Sequence, residues 1–231
     1  IKFQIYHYRI QDDILIMPAN RLSGDHEKSC IEGTKFLSSL DHDWNLLISS
    51  VGPCKLILST ELEPYQALIK SVVFQQLRPS SAVAIFNRFT QYFDSNFPTA
   101  KQILDTPKNN LKKCGLSTNK LSTIIDIASQ VGNEGLENRK GFEVMSDIQI
   151  IQKLIKIKGI GEWTAQMLMI FNLGRLDIFP VSDFALKKNY SLFKNISSPI
   201  NVKDLSKISE EWKPFRSIAA WYLWQYKLKL C

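Results

Sequence analysis

Asp183, within the string DIFPVSDFALKK (177–188), is a carboxylate whose setting permits two uses. It follows a loop containing Pro180 and opens a segment with helical apolar spacing. A carboxylate there can cap a helix by accepting a backbone N–H, which is the commoner use of the residue type. It can also serve as a fixed anion that stabilises developing positive charge and orients a water molecule. The second chemical feature is Gly159-Ile160-Gly161, between two amphipathic segments. Glycines on either side of an apolar residue relax the backbone, and Ile160 can plug the turn into a core. The N–H groups around the turn and the following helix start would then face outward, a ready site for a phosphate oxygen. Lys156 and Lys158 add positive charge beside it. The same turn also fits an ordinary corner between helices.

Other chemistries are disfavoured. His7, His26 and His42 all lie in the first fifth of the chain, far from these features. Cys30, Cys54, Cys114 and Cys231 are scattered without metal-ligand spacing and read as reduced, mostly buried thiols. Neither histidine-based nor metal catalysis is expected, and no cofactor. The 231 residues are 45% hydrophobic and 22% charged, enough for one sizeable core or two smaller lobes. No apolar run approaches the roughly 18 residues of a membrane span, and no signal-peptide pattern is visible. The net charge is +7, which favours an anionic partner, nucleic acid first. Residues 1–115 carry 13 basic and 11 acidic groups, and residues 116–231 carry 16 and 11. The surplus therefore leans toward the half that holds Asp183 and the glycine turn.

Helices must position these residues. Residues 1–20 alternate apolar and polar positions, which fits a short β-hairpin or an irregular lid within an N-terminal extension of residues 1–22. From Ser23 onward the period is helical. The pattern predicts helices at 29–40, 44–51, 63–77, 80–93 (Ser80 as cap, Phe86, Phe89 and Phe93 in one stripe), 99–105, 107–114 and 117–131. An exposed loop is expected at 132–141, then helices at 147–157, 162–173, 182–193, 202–212 and 214–230, the last with Pro214 in its first turn. The fold class is all-α, two-lobed with a cleft, the lobes roughly 40–135 and 23–39 plus 136–231.

Three blocks together resemble the DNA-3-methyladenine glycosylase II branch of the helix-hairpin-helix DNA glycosylases. They are KGIGEWTAQMLMIF (158–171), DIFPVSDFALKK (177–188) and WKPFRSIAAWYLW (212–224), with weaker matches at SVVFQQL (71–77) and CGLSTNK (114–120). The resemblance runs from about residue 40 to the end. It implies base excision from double-stranded DNA containing alkylated bases, with Asp183 as the catalytic carboxylate. The hairpin Lys156, Lys158, Gly159, Ile160 and Gly161 would bind the DNA backbone. Trp163, Phe184 and Trp224 match the family's aromatic base pocket, and Met167 stands where some relatives carry another aromatic. Gln76, Leu77 and Arg78 match the minor-groove wedge. Trp221 reads as core.

The resemblance also sets the reaction subtype. Members that cut the backbone carry a Schiff-base lysine two residues after the second hairpin glycine. Here that residue is Trp163, so a monofunctional hydrolase without lyase activity is expected. Lys187 and Lys188, one turn past Asp183, should point elsewhere. The iron–sulfur loop of some relatives is absent, since only Cys231 lies near the C-terminus. Lys120 reads equally as a phosphate contact or a solvated lysine, and Arg216 as a structural partner of a carboxylate or carbonyl. A monomer is expected, cytoplasmic and nucleoid-associated in a bacterium or nuclear in a eukaryote. Two other readings stay open: a non-catalytic DNA-binding module, and a glycosylase/lyase for other lesions.

Overall fold

The helical spacing that begins after Ser23 becomes helix throughout a computed structural model, which describes residues 24–134, 136 and 138–226. The expected 1–22 extension and the end of the last helix lie outside the described residues. Among those residues the structure holds 13 α-helices and no strand. In order they are α1 (Gly24–Leu40), α2 (His42–Val51), α3 (Pro64–Phe74), α4 (Pro79–Gln91), α5 (Ala100–Asp105), α6 (Lys108–Lys113), α7 (Thr118–Glu134), α8 (Arg139–Glu143), α9 (Asp147–Leu154), α10 (Glu162–Phe171), α11 (Phe184–Phe193), α12 (Val202–Ser209) and α13 (Arg216–Gln225), with a 3-10 turn at Glu210–Trp212. None of these helices is long and apolar enough to cross a membrane.

The described chain divides into two compact units, 59–168 and 24–58 with 169–226. This differs from the expected lobes, whose boundaries were placed near 40 and 135. Side-chain packing explains the difference. Trp44 on α2 packs its ring on Phe193 (5.1 Å) and Trp212 (5.5 Å), which ties 40–58 to the C-terminal unit. Arg139 donates its N–H to Glu63 Oε2 (3.1 Å) and its Nη2 to the Leu62 carbonyl (3.1 Å), which keeps α8 with the middle of the chain.

In the first unit α7 lies against α3, α5 and α6. Leu68, Ile69, Val72 and Val73 of α3, Phe89 of α4, and Ile124 and Ile127 of α7 are all buried. Glu63 starts α3 with a capping box, its N–H donating to Gln66 Oε1 (2.9 Å), and Pro64 occupies the first turn. The phenylalanine stripe of α4 is buried as its spacing predicts. Its cap differs: Pro79 opens the helix and Arg78 sits at the N-cap without a side-chain bond, so Ser80 is already helical. The loop expected at 132–141 is largely helix. α7 runs on to Glu134, Leu136 and Phe142 are buried, and Asn138 caps α8 by accepting the Gly141 N–H (3.1 Å).

In the second unit Trp44, Phe179, Tyr190, Phe193 and Trp212 form one aromatic cluster. α13 packs against α1, α2 and α11. Tyr222 donates to the Gly52 carbonyl (3.0 Å) and meets Thr34 Oγ1 (3.0 Å), joining α13 to both N-terminal helices. Lys194 bridges Asp41 and Asp43 at 2.7 Å each. Pro214 precedes α13 rather than opening it, since the helix starts at Arg216.

Candidate nucleic-acid interface and active site

The glycine turn connects α9 to α10 in the first unit. Ser146 caps α9 with a full capping box, and the chain then tightens through Ile157 N–H to Leu154 O (3.1 Å) and Ile160 N–H to Ile157 O (3.0 Å). Ile157 and Ile160 are buried, so the turn is plugged into the core as expected. The glycines are not equivalent. Gly159 has φ +88°, and a Cβ there would meet Thr123 Oγ1 at 2.2 Å. Gly161 has no left-handed φ and open space within 4 Å. The turn's N–H groups do not all face outward either. The Lys158 N–H donates to Asp126 Oδ2 (2.7 Å), a carboxylate one α7 turn beyond Thr123. Among the described residues the N–H groups of Gly159 and Gly161 have no partner within the chain. Lys156 and Lys158 are exposed. The turn thus offers two backbone donors beside two cations, an arrangement suited to an anion.

The segment Gln75–Arg78 follows α3. Gln76 is exposed with φ +54°, a left-handed conformation that non-glycine residues seldom adopt. Leu77 is half-buried and Arg78 exposed. Lys120, read from sequence as a phosphate contact or a solvated lysine, is half-buried rather than solvated. Its Nζ donates to the Val73 carbonyl (2.8 Å) and the Gln75 carbonyl (2.7 Å), closing the C-terminal end of α3. Burial lowers its pKa to about 8.

Asp183 belongs to the second unit and is 2% exposed. Its N–H donates to the Pro180 carbonyl (2.8 Å), and its Oδ1 accepts the Leu186 N–H (2.8 Å), which makes it the N-cap of α11. The capping role read from the residues is therefore present. It also fixes the carboxylate's orientation. The loop leading to Asp183 is fastened by the start of α13. Arg216 grips Asp177 with Nε on Oδ1 (2.7 Å) and Nη2 on Oδ2 (3.0 Å), and its Nη2 also reaches the Asp177 carbonyl (3.0 Å). Ser217 Oγ donates to the Arg175 carbonyl (2.7 Å) and accepts the Ile178 N–H (3.0 Å). The structural role expected of Arg216 is what the geometry shows, and Ser217 adds anchors that the sequence did not signal.

The aromatic residues divide between the units. Trp163, half-buried, and Met167, buried, are one turn apart on α10 within the first unit. In the second unit Phe184 is 43% exposed beside Asp183, and Trp224 is half-buried with its ring stacked on Phe171 (5.8 Å, 28°). Trp221 is buried core, as expected. An apolar helix face carries no sequence signal that Phe171 is the ring stacked on Trp224. Asp126 and Thr123 escaped notice because their contacts reach about 30 residues along the chain.

The family model described as "HhH-GPD superfamily base excision DNA repair protein" matches residues 69–215. The chain is 40% identical over 193 residues to the alkylbase DNA glycosidase-like protein mag2 of Schizosaccharomyces pombe, covering 83% of this chain and 91% of that protein. It is 37% identical over 191 residues to DNA-3-methyladenine glycosylase 1 of the same yeast, covering 82% and 84%. The solved structure of the S. pombe 3-methyladenine DNA glycosylase Mag1 in complex with abasic DNA aligns with a TM-score of 0.75 at 35% identity, covering 84% of this chain and 95% of that one. The matched region contains the glycine hairpin, the capped Asp183 and the anchored loop before it, and on these grounds the chain belongs to the HhH-GPD superfamily of base excision DNA repair proteins.

Proposed function

We propose that the protein is a monofunctional DNA glycosylase that removes alkylated purines, chiefly 3-methyladenine and 7-methylguanine, and acts as a monomer on double-stranded DNA. The observation that carries this reading is Asp183: buried, held through Oδ1 by the Leu186 N–H, and placed on a loop that Arg216 and Ser217 fasten. Relatives named for 3-methyladenine support the substrate class.

In this mechanism the hairpin holds a phosphate through the Gly159 and Gly161 N–H groups with Lys156 and Lys158. The lesion rotates out of the duplex, at a cost of a few kcal/mol, and Gln76, Leu77 and Arg78 fill the gap. Alkylation at N3 or N7 makes the base cationic. The candidate stacking partners are Trp163 in the first unit and Phe184 and Trp224 in the second, and an aromatic face under the cationic base favours it over a neutral one by about 0.5–2 kcal/mol. As the glycosidic bond breaks, its electron pair leaves with the base and positive charge grows on the sugar. The Asp183 carboxylate stabilises that charge, accepts a proton from the attacking water, and the water oxygen bonds to the anomeric carbon. Trp163 offers no amine for a Schiff base, so the product is an intact strand with an abasic site.

The test is base release from methylated duplex DNA by wild type and Asp183→Asn, with products identified by mass. The expected loss is on the order of 10²–10³-fold, as for removal of one preorganised electrostatic stabiliser. Asparagine caps helices about as well as aspartate, so folding is retained. Wild-type rates in the mutant would overturn the mechanism. A second reading, DNA binding without excision, draws on the capping bond, which by itself explains an aspartate at 183. Tight binding by wild type with no base released across a lesion panel would establish it.

A further inference from the structure

We propose that Lys120 is a positioning residue for the wedge: its ammonium clamps the C-terminal carbonyls of α3, so that Gln76, Leu77 and Arg78 are presented to the DNA stack in one conformation. The inference rests on the reading of 76–78 as the wedge and names the group that sets it.

The last carbonyls of a helix lack intrahelical partners. In α3 two of them, Val73 and Gln75, are taken by one side chain at 2.8 and 2.7 Å. Gln75 is held from the other side as well, its N–H reaching the Ser71 carbonyl (3.1 Å) and the Val72 carbonyl (3.3 Å). The next residue, Gln76, stands at φ +54°. A non-glycine residue stays in that region only where its surroundings over-determine it. The clamp on Gln75 is such a constraint.

Lys120 is itself aimed by a second anchored loop. Its N–H donates to Ser117 Oγ (3.3 Å), at the start of α7. Gly115 turns the chain at φ +100°, where a Cβ would lie 2.8 Å from Arg88 Nη2. Arg88 Nε in turn donates to the Cys114 carbonyl (2.9 Å). Arg88 lies on α4, the helix that begins directly after the wedge. The wedge is therefore tied at its start by Lys120 and at its end by α4, and α4 also holds the loop that presents Lys120. Burial alone accounts for the lysine's lowered pKa, with no carboxylate contributing. The charge is thus spent on the helix end rather than on an ion pair.

The test uses the intact protein and single-turnover release of 7-methylguanine from two duplexes. In one the lesion faces cytosine. In the other it faces an abasic analogue, so that no pair must be broken. Lys120→Met should slow release from the paired duplex on the order of 10–100-fold, the range expected of a small misplacement remote from the chemistry. Release from the unpaired duplex should change far less. Lys120→Arg, which keeps the donors, should recover most of the paired rate. Equal losses on both duplexes, no loss on either, or failure of Arg to rescue would overturn the proposal. A readout independent of excision separates it from the glycosylase reading. 2-Aminopurine placed in the stack beside an abasic site should brighten on binding wild type and Lys120→Arg but not Lys120→Met. Brightening by Lys120→Met equal to wild type would sink the clamp, whereas wild type that brightens the probe yet releases no base would sink only the excision reading.

Discussion

At Asp183 the observed helix cap and the proposed catalytic charge reside in one side chain, and the two can be separated by substitution. The N-cap bond needs an oxygen at the Oδ1 position, which asparagine supplies; electrostatic stabilisation needs the negative charge, which asparagine lacks. Thermal or denaturant unfolding should place Asp183→Asn close to wild type, while Asp183→Ala loses the cap and about 0.5–2 kcal/mol. Equal destabilisation by Asn and Ala would mean that the charge, not the cap, holds α11. Lys120 gives a second residue-scale prediction. Burial lowers its folded pKa to about 8, below the ordinary lysine value of 10.5. Between these values the unfolded chain binds more protons, so this group's contribution to stability rises as pH climbs from 8 toward 10.5. Chemical denaturation at pH 7.5 and 9.5 should show wild type gaining relative to Lys120→Met at the higher pH; a gap that stays constant would contradict the burial. The identity of Asp183 and its cap were legible in the sequence because both depend on local order. The role of Lys120 was not, because its partners lie 45 and 47 residues away.

The hairpin shows how far an element can be read from its pattern. Gly-x-Gly and the plug at Ile160 were legible and appear in place. Which glycine is indispensable was not, since that depends on α7 pressing Thr123 against the turn. Gly159→Ala should destabilise the protein by about 1–2 kcal/mol from the left-handed backbone, with roughly 1–3 kcal/mol more from the collision with Thr123. Gly161 accepts the Ala165 N–H through its carbonyl (3.1 Å), which puts it at the N-cap of α10. Alanine is a poorer cap than glycine, so Gly161→Ala costs about 1 kcal/mol or less. Urea unfolding of both variants tests the order, and Gly161→Ala proving the more damaging would refute it. The stretch 132–141 shows the opposite case: its polar composition hid the buried Leu136, and Phe142 directly after it is buried too.

Across the whole molecule, helical periodicity made the all-α class readable, but not the division into units. The assignment of 40–58 to the C-terminal unit hangs on Trp44 finding Phe193 and Trp212, contacts that no local pattern encodes. Net charge is a property of the same scale, and its consequence for DNA is general. Each phosphate neutralised by a cation releases counterions, so the logarithm of affinity falls linearly with the logarithm of salt concentration, by about 0.9 per contact. The +7 surplus leans toward residues 116–231, where the exposed Lys156 and Lys158 flank the two hairpin N–H donors. Fluorescence-anisotropy titrations over a salt series should give a straight line for wild type. Lys156→Ala and Lys158→Ala should each flatten the slope by about 1 and weaken binding to undamaged and abasic duplexes alike, the mark of a phosphate rather than a base contact. The Lys158 backbone N–H is already committed to Asp126, so its substitution tests the side-chain charge while the turn's own bond remains. Unchanged slopes in both variants would place the phosphate track elsewhere on the chain and leave the hairpin as a structural corner.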